Sequence, residues 1–147
     1  MNRLWLFLLL FAWPLAAEVR LTPASVAGLA EVPAGETVRL APGIYPALRI
    51  GQPLTLLGEP GAVIDAGGQG HGLYLDAPGI QVSHLEIRNW GKDLGTLDAG
   101  VFISDNADGV EVAHLRLRGP GFGIWADRVS RIHLYANDIE GDHRLRS

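Results

Sequence analysis

Apolar positions in the second half of the chain fall into short alternating runs that repeat. Three segments superimpose without gaps: Ile80–Ile87, Val110–Leu117 and Ile132–Ile139, with starts 30 and 22 residues apart. Each follows a shorter strand-like match: Gly72–Leu75, Gly100–Ile103 and Gly123–Ala126. Two strand types recurring in one order, at a period of about 20–30 residues, mark a solenoid. Within a unit the alternation is period two, with Ile80, Val82, Leu85 and Ile87 on one face. The skip between Val82 and Leu85 demands a bend, so each unit predicts two short strands meeting at a corner. No unit has room for a helix, which argues against a leucine-rich repeat. Identical corners stack with strands about 4.8 Å apart. The predicted fold is therefore all-β, a right-handed parallel β-helix.

Upstream the strands shorten and turns tighten. Val38–Leu40, Ala47–Ile50, Leu54–Leu57 and Ala62–Asp65 alternate with Pro42-Gly43, Gly51, Gly58 and Gly61. Before them, Thr22-Pro23 reads as an N-cap with proline at the first helical position, and Val26, Leu29 and Ala30 form an apolar face. This predicts a short capping helix over the open N-terminal end of the core. Trp90–Leu97 is expected to bulge from a corner as a loop. Beyond Ile139 no second cap is visible, so the reading expects a β-helix truncated at its C-terminus.

The first residues have a different pattern. Arg3 precedes the unbroken apolar run Leu4–Trp13, and Pro14-Leu15-Ala16-Ala17 supplies small residues for cleavage. That order is expected of a secretory signal peptide over 1–17, leaving 18–147 as the β-helix domain. The run falls short of the roughly 20 residues needed to span a bilayer. Export to a periplasm, with no membrane association after cleavage, is the expected localisation. The chain has no cysteine, which excludes disulfides and thiolate metal sites. Its 147 residues carry a formal net charge of −4, one more negative without Arg3, so nucleic acid is not an expected partner.

Thr37-Val-Arg-Leu-Ala-Pro-Gly-Ile-Tyr45, Leu54–Asp65 and Gly67-Gly68 resemble the opening coils of exported carbohydrate-binding-type β-helices. Asp93-Leu94, Asp98–Phe102 and Gly121–Ile124 resemble the NosD family more closely. The resemblance runs through nearly all of the chain after the targeting segment, as an N-terminal fragment of a longer β-helix. It implies a periplasmic accessory role in maturing the copper–sulfur centre of nitrous oxide reductase. An ABC transporter component or the reductase would then be the partner, and copper a possible ligand.

Two residue sets are candidates for that chemistry. His84 and His114 hold the same repeat position and are expected about 4.8 Å apart on adjacent coils, where they could share a copper ion. The alternative is that they are polar corner residues, as Ala136 replaces them in the next unit. His71, His133 and His143 show no ligand spacing with one another. Tyr74, Phe102 and Trp125 share a second position and are expected to point outward as an aromatic stripe. Such a stripe would grip a sugar or dock a protein, unless the Trp90–Leu97 loop folds over it. Gly70-His71-Gly72 resembles a motif of pectin-cleaving hydrolases, but the paired carboxylates that glycosidases need are missing upstream, where only Asp65 is available. Asp98, Asp105, Asp127, Arg128 and Arg131 have no spacing that forces them onto one face. A non-enzymatic accessory protein is the favoured expectation. A carbohydrate-binding or polysaccharide-active β-helix is the alternative.

Overall fold

The computed structural model describes residues 17–141. The segment read as a signal peptide lies outside them except for Ala17, as does His143. Fifteen short strands and one 3₁₀ helix follow in order: β1 (Glu18–Leu21), the helix (Val26–Glu31), β2 (Thr37–Leu40), β3 (Gly43–Tyr45), β4 (Leu48–Ile50), β5 (Thr55–Gly58), β6 (Ala62–Asp65) and β7 (Leu73–Leu75). Then come β8 (Gln81–Ser83), β9 (Glu86–Arg88), β10 (Ala99–Ile103), β11 (Glu111–Ala113), β12 (Arg116–Gly119), β13 (Phe122–Ala126), β14 (His133–Tyr135) and β15 (Asp138–Gly141).

The strands build three parallel sheets. Sheet A is β1-β2-β5-β8-β11-β14, sheet B is β3-β6-β9-β12-β15 and sheet C is β4-β7-β10-β13. From β2 onward the chain visits A, B and C in turn, so each circuit is one coil of a parallel β-helix. Gln81 pairs with Glu111 and Glu111 with His133, so the 30- and 22-residue offsets of the repeats are coil lengths. Coils are joined by bonds such as Glu111 N to Ile80 O (2.9 Å) and Arg116 N to Leu85 O (2.9 Å).

Alternation sends one column of each sheet inward. Val38, Leu56, Val82 and Val112 stack in sheet A, and Tyr45, Ile64, Ile87 and Leu117 in sheet B, all fully or almost fully buried. Burial of each such aliphatic side chain stabilises the fold by about 1.5–3 kcal/mol. Leu134 and Ile139 continue these columns into the last described coil, where they have described neighbours on one side only. The Tyr45 hydroxyl, carried inside, donates to the carbonyls of Ala41 (2.6 Å) and Leu21 (3.1 Å).

The cap sits where the apolar face of Val26 and Leu29 placed it, packed on β1 and β4, but its geometry differs from the expected helix. It is 3₁₀, and it begins three residues after Pro23, with Ser25 at the N-cap. Ser25 Oγ accepts the Thr22 amide at 2.8 Å, so Thr22-Pro23 forms the turn before the helix. At the other end the Gln52 amide donates to the carbonyls of Leu29 (2.9 Å) and Val32 (2.8 Å), satisfying the helix terminus. Two strands escaped the sequence reading. One is β1, and the other is β3, which was read as the Pro42-Gly43 turn.

Trp90 departs from the expected loop. It is 2% exposed, with its indole N–H donated to the Pro120 carbonyl. Its ring occupies the corner between sheets B and C, where Gly100 and Gly119 leave room for it. A Cβ on Gly119 would lie 2.7 Å from the ring, and one on Gly100 would lie 3.0 Å from it. Gly119→Ala is therefore expected to cost about 1–3 kcal/mol, the usual range for overpacking. Gly28→Ala, with open space around its Cβ and ordinary φ, should be close to neutral. Urea unfolding of the two variants checks this, and equal midpoints would refute the packing account.

Candidate functional site

Sheet A meets sheet B at a corner built by residues in the left-handed backbone region: His84 (φ 61°), His114 (φ 54°) and Ala136 (φ 54°). This is the bend required by the skip after Val82. Among non-glycine residues, Asn, Asp and His tolerate such φ values best. Both imidazoles are exposed and stacked, with centroids 5.0 Å apart and planes 18° from parallel. The edge of Tyr135 follows, 5.7 Å from His114 at 84°.

Beside the histidines the outer face of sheet A is hollowed. Ser83 and Ala113, paired in register, are small residues between larger columns. Ala113 is only 2% exposed despite facing outward. The resulting groove has a volume of about 250 Å³, with His84 and His114 on one side and Gln81 and Glu111 on the other. The Tyr135 hydroxyl donates to Glu111 Oε1 from the next coil. That bond holds the Tyr135 phenol above its usual pKa range. Among the described residues no three His, Asp or Glu side chains converge as a metal cluster, so the histidine pair stands as two donors.

The aromatic stripe also takes the expected register, Tyr74 against Phe102 against Trp125, on the outside of sheet C. Tyr74 and Phe102 stack at 5.2 Å, 7° from parallel. The Arg49 guanidinium lies 5.0 Å from the Tyr74 ring centre, one coil earlier. Both faces of Tyr74 are thus occupied, whereas a sugar platform needs an open face. His71 packs 4.4 Å from Phe102, and Phe122 packs 4.8 Å from Trp125. Among the described residues the indole N–H of Trp125 is buried without a hydrogen-bond partner.

Lys92, Asp93 and Thr96 line a cavity of about 600 Å³ with Gly68–His71 and Asp98, and neither Tyr74 nor Phe102 lines it. Asp98, 5% exposed, staples this loop: it accepts the Thr96 hydroxyl (2.7 Å) and the Asp93 amide (3.1 Å). Burial opposes its ionisation, but these bonds, the nearby His71 and the Gly70 amide hold its pKa below the ordinary range. His71 Nδ1 accepts the Ala99 amide at 3.2 Å, so its proton belongs on Nε2. Burial pushes the His71 pKa down, and Asp98 opposes that only in part. Asp98 is consequently separated from the exposed acids of the sequence reading. Asp105 and Asp127 instead pair with Arg128, and Asp108 with Arg131. Asp65 is engaged by Arg88, Asn89 and the Gly67 amide.

No family model matches the chain. It is 39% identical over 127 residues to the "Probable ABC transporter binding protein NosD" of Stutzerimonas stutzeri, covering 85% of this chain and 29% of that protein. It is 44% identical over 98 residues to the protein of the same name from Pseudomonas aeruginosa, covering 67% of this chain and 23% of that one. This chain is NosD-like. It spans less than a third of the length of those two NosD relatives.

The NosD-like coils are pinned by carboxylates whose protonation can be followed. Asp65, Asp76 and Asp98 all lie below the ordinary 3.8. For Asp76 the leading cause is the Ser104 hydroxyl, then the Asn106 amide. Groups with depressed native pKa stabilise fully above their unfolded value and lose that contribution as pH falls through the native one. His71, depressed below 6.5, binds its proton more readily in the unfolded chain, so it removes stability as pH drops below about 6.5. Urea midpoints are expected to fall in two stages between pH 7 and pH 2. His71→Gln should flatten the upper stage and Asp76→Asn should weaken the lower. Midpoints that rise toward acid would contradict these assignments.

Proposed function

We propose that this chain is a periplasmic, non-catalytic accessory protein for copper-site maturation of nitrous oxide reductase, acting with an ABC transporter. Similarity to proteins named for transporter binding supports the partner, and the apolar run Leu4–Trp13 supports export. The observation that carries the copper role is the pair of exposed imidazoles, His84 and His114, stacked on adjacent coils.

Copper here is cargo. Imidazole nitrogen is a good donor for it, and the two rings on neighbouring coils line one side of a common groove. Two donors make an open, exchangeable site rather than a closed structural one, which suits a protein that receives a metal and passes it on. The rigid corner supplies spacing, and solvent exposure supplies access. The edges of Tyr74, Phe102 and Trp125 on sheet C give a separate ribbed apolar surface for protein contact, where aromatic side chains contribute most. Carbohydrate binding is the less favoured alternative, because Phe102 and Arg49 cover both faces of Tyr74, which a sugar would use.

Equilibrium dialysis of the untagged full chain against copper tests the reading. One equivalent should be retained, and His84→Ala or His114→Ala should weaken retention by at least about 10–100-fold, the range for losing even an outer partner of a metal ligand. Unchanged retention in the double variant would remove copper from the proposal. Binding of pectin or alginate that Trp125→Ala abolishes would favour the carbohydrate alternative.

A further inference from the structure

The groove on sheet A has a construction that the histidine pair alone does not need. Its floor is Ser83 and Ala113, two small side chains in register between columns of larger ones. One wall is His84 and His114; the other carries the Glu111 carboxylate. Tyr135 closes an end and fixes Glu111 through one oxygen, Oε1. A carboxylate accepts through both oxygens, so Oε2 keeps its capacity.

Imidazoles that ligate metals commonly donate their remaining ring N–H to a carboxylate, which fixes the ring and raises its basicity. Here a two-imidazole wall and a carboxylate wall face one another across a slot of about 250 Å³. We infer that this slot receives a third imidazole, from a histidine of the protein that exchanges metal with this chain, between the His84–His114 pair and Glu111. The incoming ring lies over Ser83, the accessible part of the floor, with one nitrogen toward the bound ion and its N–H toward Glu111. Exchange then proceeds by ligand substitution. A bond from the metal to the incoming nitrogen forms before the bonds to His84 and His114 break, and no electron is transferred. This inference rests on the copper reading of the same two histidines and adds the chemistry of the partner.

Free imidazole stands in for the partner's side chain. The full chain, loaded with one equivalent of copper(II), is titrated with imidazole and followed by electron paramagnetic resonance. The expected result is a one-to-one ternary complex with a third nitrogen coupled to the metal. Glu111→Gln should weaken imidazole uptake by about 10-fold or more while leaving copper retention unchanged. Ser83→Leu fills the floor without touching a ligand, and should abolish uptake with copper still bound. Circular dichroism establishes that both variants are folded. Equal uptake by the unaltered chain and Ser83→Leu would overturn the slot while leaving the histidine pair intact. Failure of the unaltered chain to hold copper would overturn both readings together.

Discussion

Each coil binds the next through parallel backbone hydrogen bonds, and that register controls everything else in the molecule. Because Val82 pairs with Val112 and Ile87 with Leu117, an inward position stays inward from coil to coil and the core becomes a set of columns. The same constraint works on the outside. A residue type repeated at one position turns into a ladder, whether of imidazoles at the A–B corner, aromatic rings on sheet C or ion pairs between coils. Arg88 with Asp65 and Arg118 with Asp138 and Glu140 are such rungs on sheet B. Exposed pairs of this sort contribute only about 0–1 kcal/mol each. The hydrophobic columns and backbone pairing carry the stability, and the ladders decorate it.

Much of this was legible in the sequence because the repeats write the register directly. Aligning His84 with His114, and Tyr74 with Phe102 and Trp125, was equivalent to stacking them. The period-two alternation gave inward and outward faces without knowledge of the coil shape. What could not be read were interactions between positions that differ from coil to coil. Trp90 looks like the start of a loop until Gly100 and Gly119 are seen to vacate a corner for it. Asp98 has no spacing that ties it to any partner until the loop before it turns back to donate to it. The groove was invisible for a related reason: Ser83 and Ala113 matter only through the larger side chains around them. The N-terminal cap was placed correctly by its apolar residues, but Thr22-Pro23 signalled a turn as readily as a helix start. The 3₁₀ geometry depended on tertiary packing.

The functional reading follows the same hierarchy. A flat solenoid offers little enclosure, so its surfaces act by spacing repeated groups at one coil interval. Spacing of about 5 Å between imidazoles is imposed by the sheet and requires no specialised loop. The left-handed corner favours histidine for conformational reasons, which makes the residue available for metal chemistry at small cost to the fold. Carboxylate and imidazole then lie on opposite margins of one strand pair, and the intervening small residues decide whether anything fits between them.

The most direct measurement is a crystal structure of the full chain grown with copper, with anomalous diffraction recorded on both sides of the copper absorption edge. The account predicts an edge-dependent peak at bonding distance from a ring nitrogen of both His84 and His114, at the lip of the sheet A groove. A peak at His71 or elsewhere, with the corner imidazoles stacked and unligated, would contradict it.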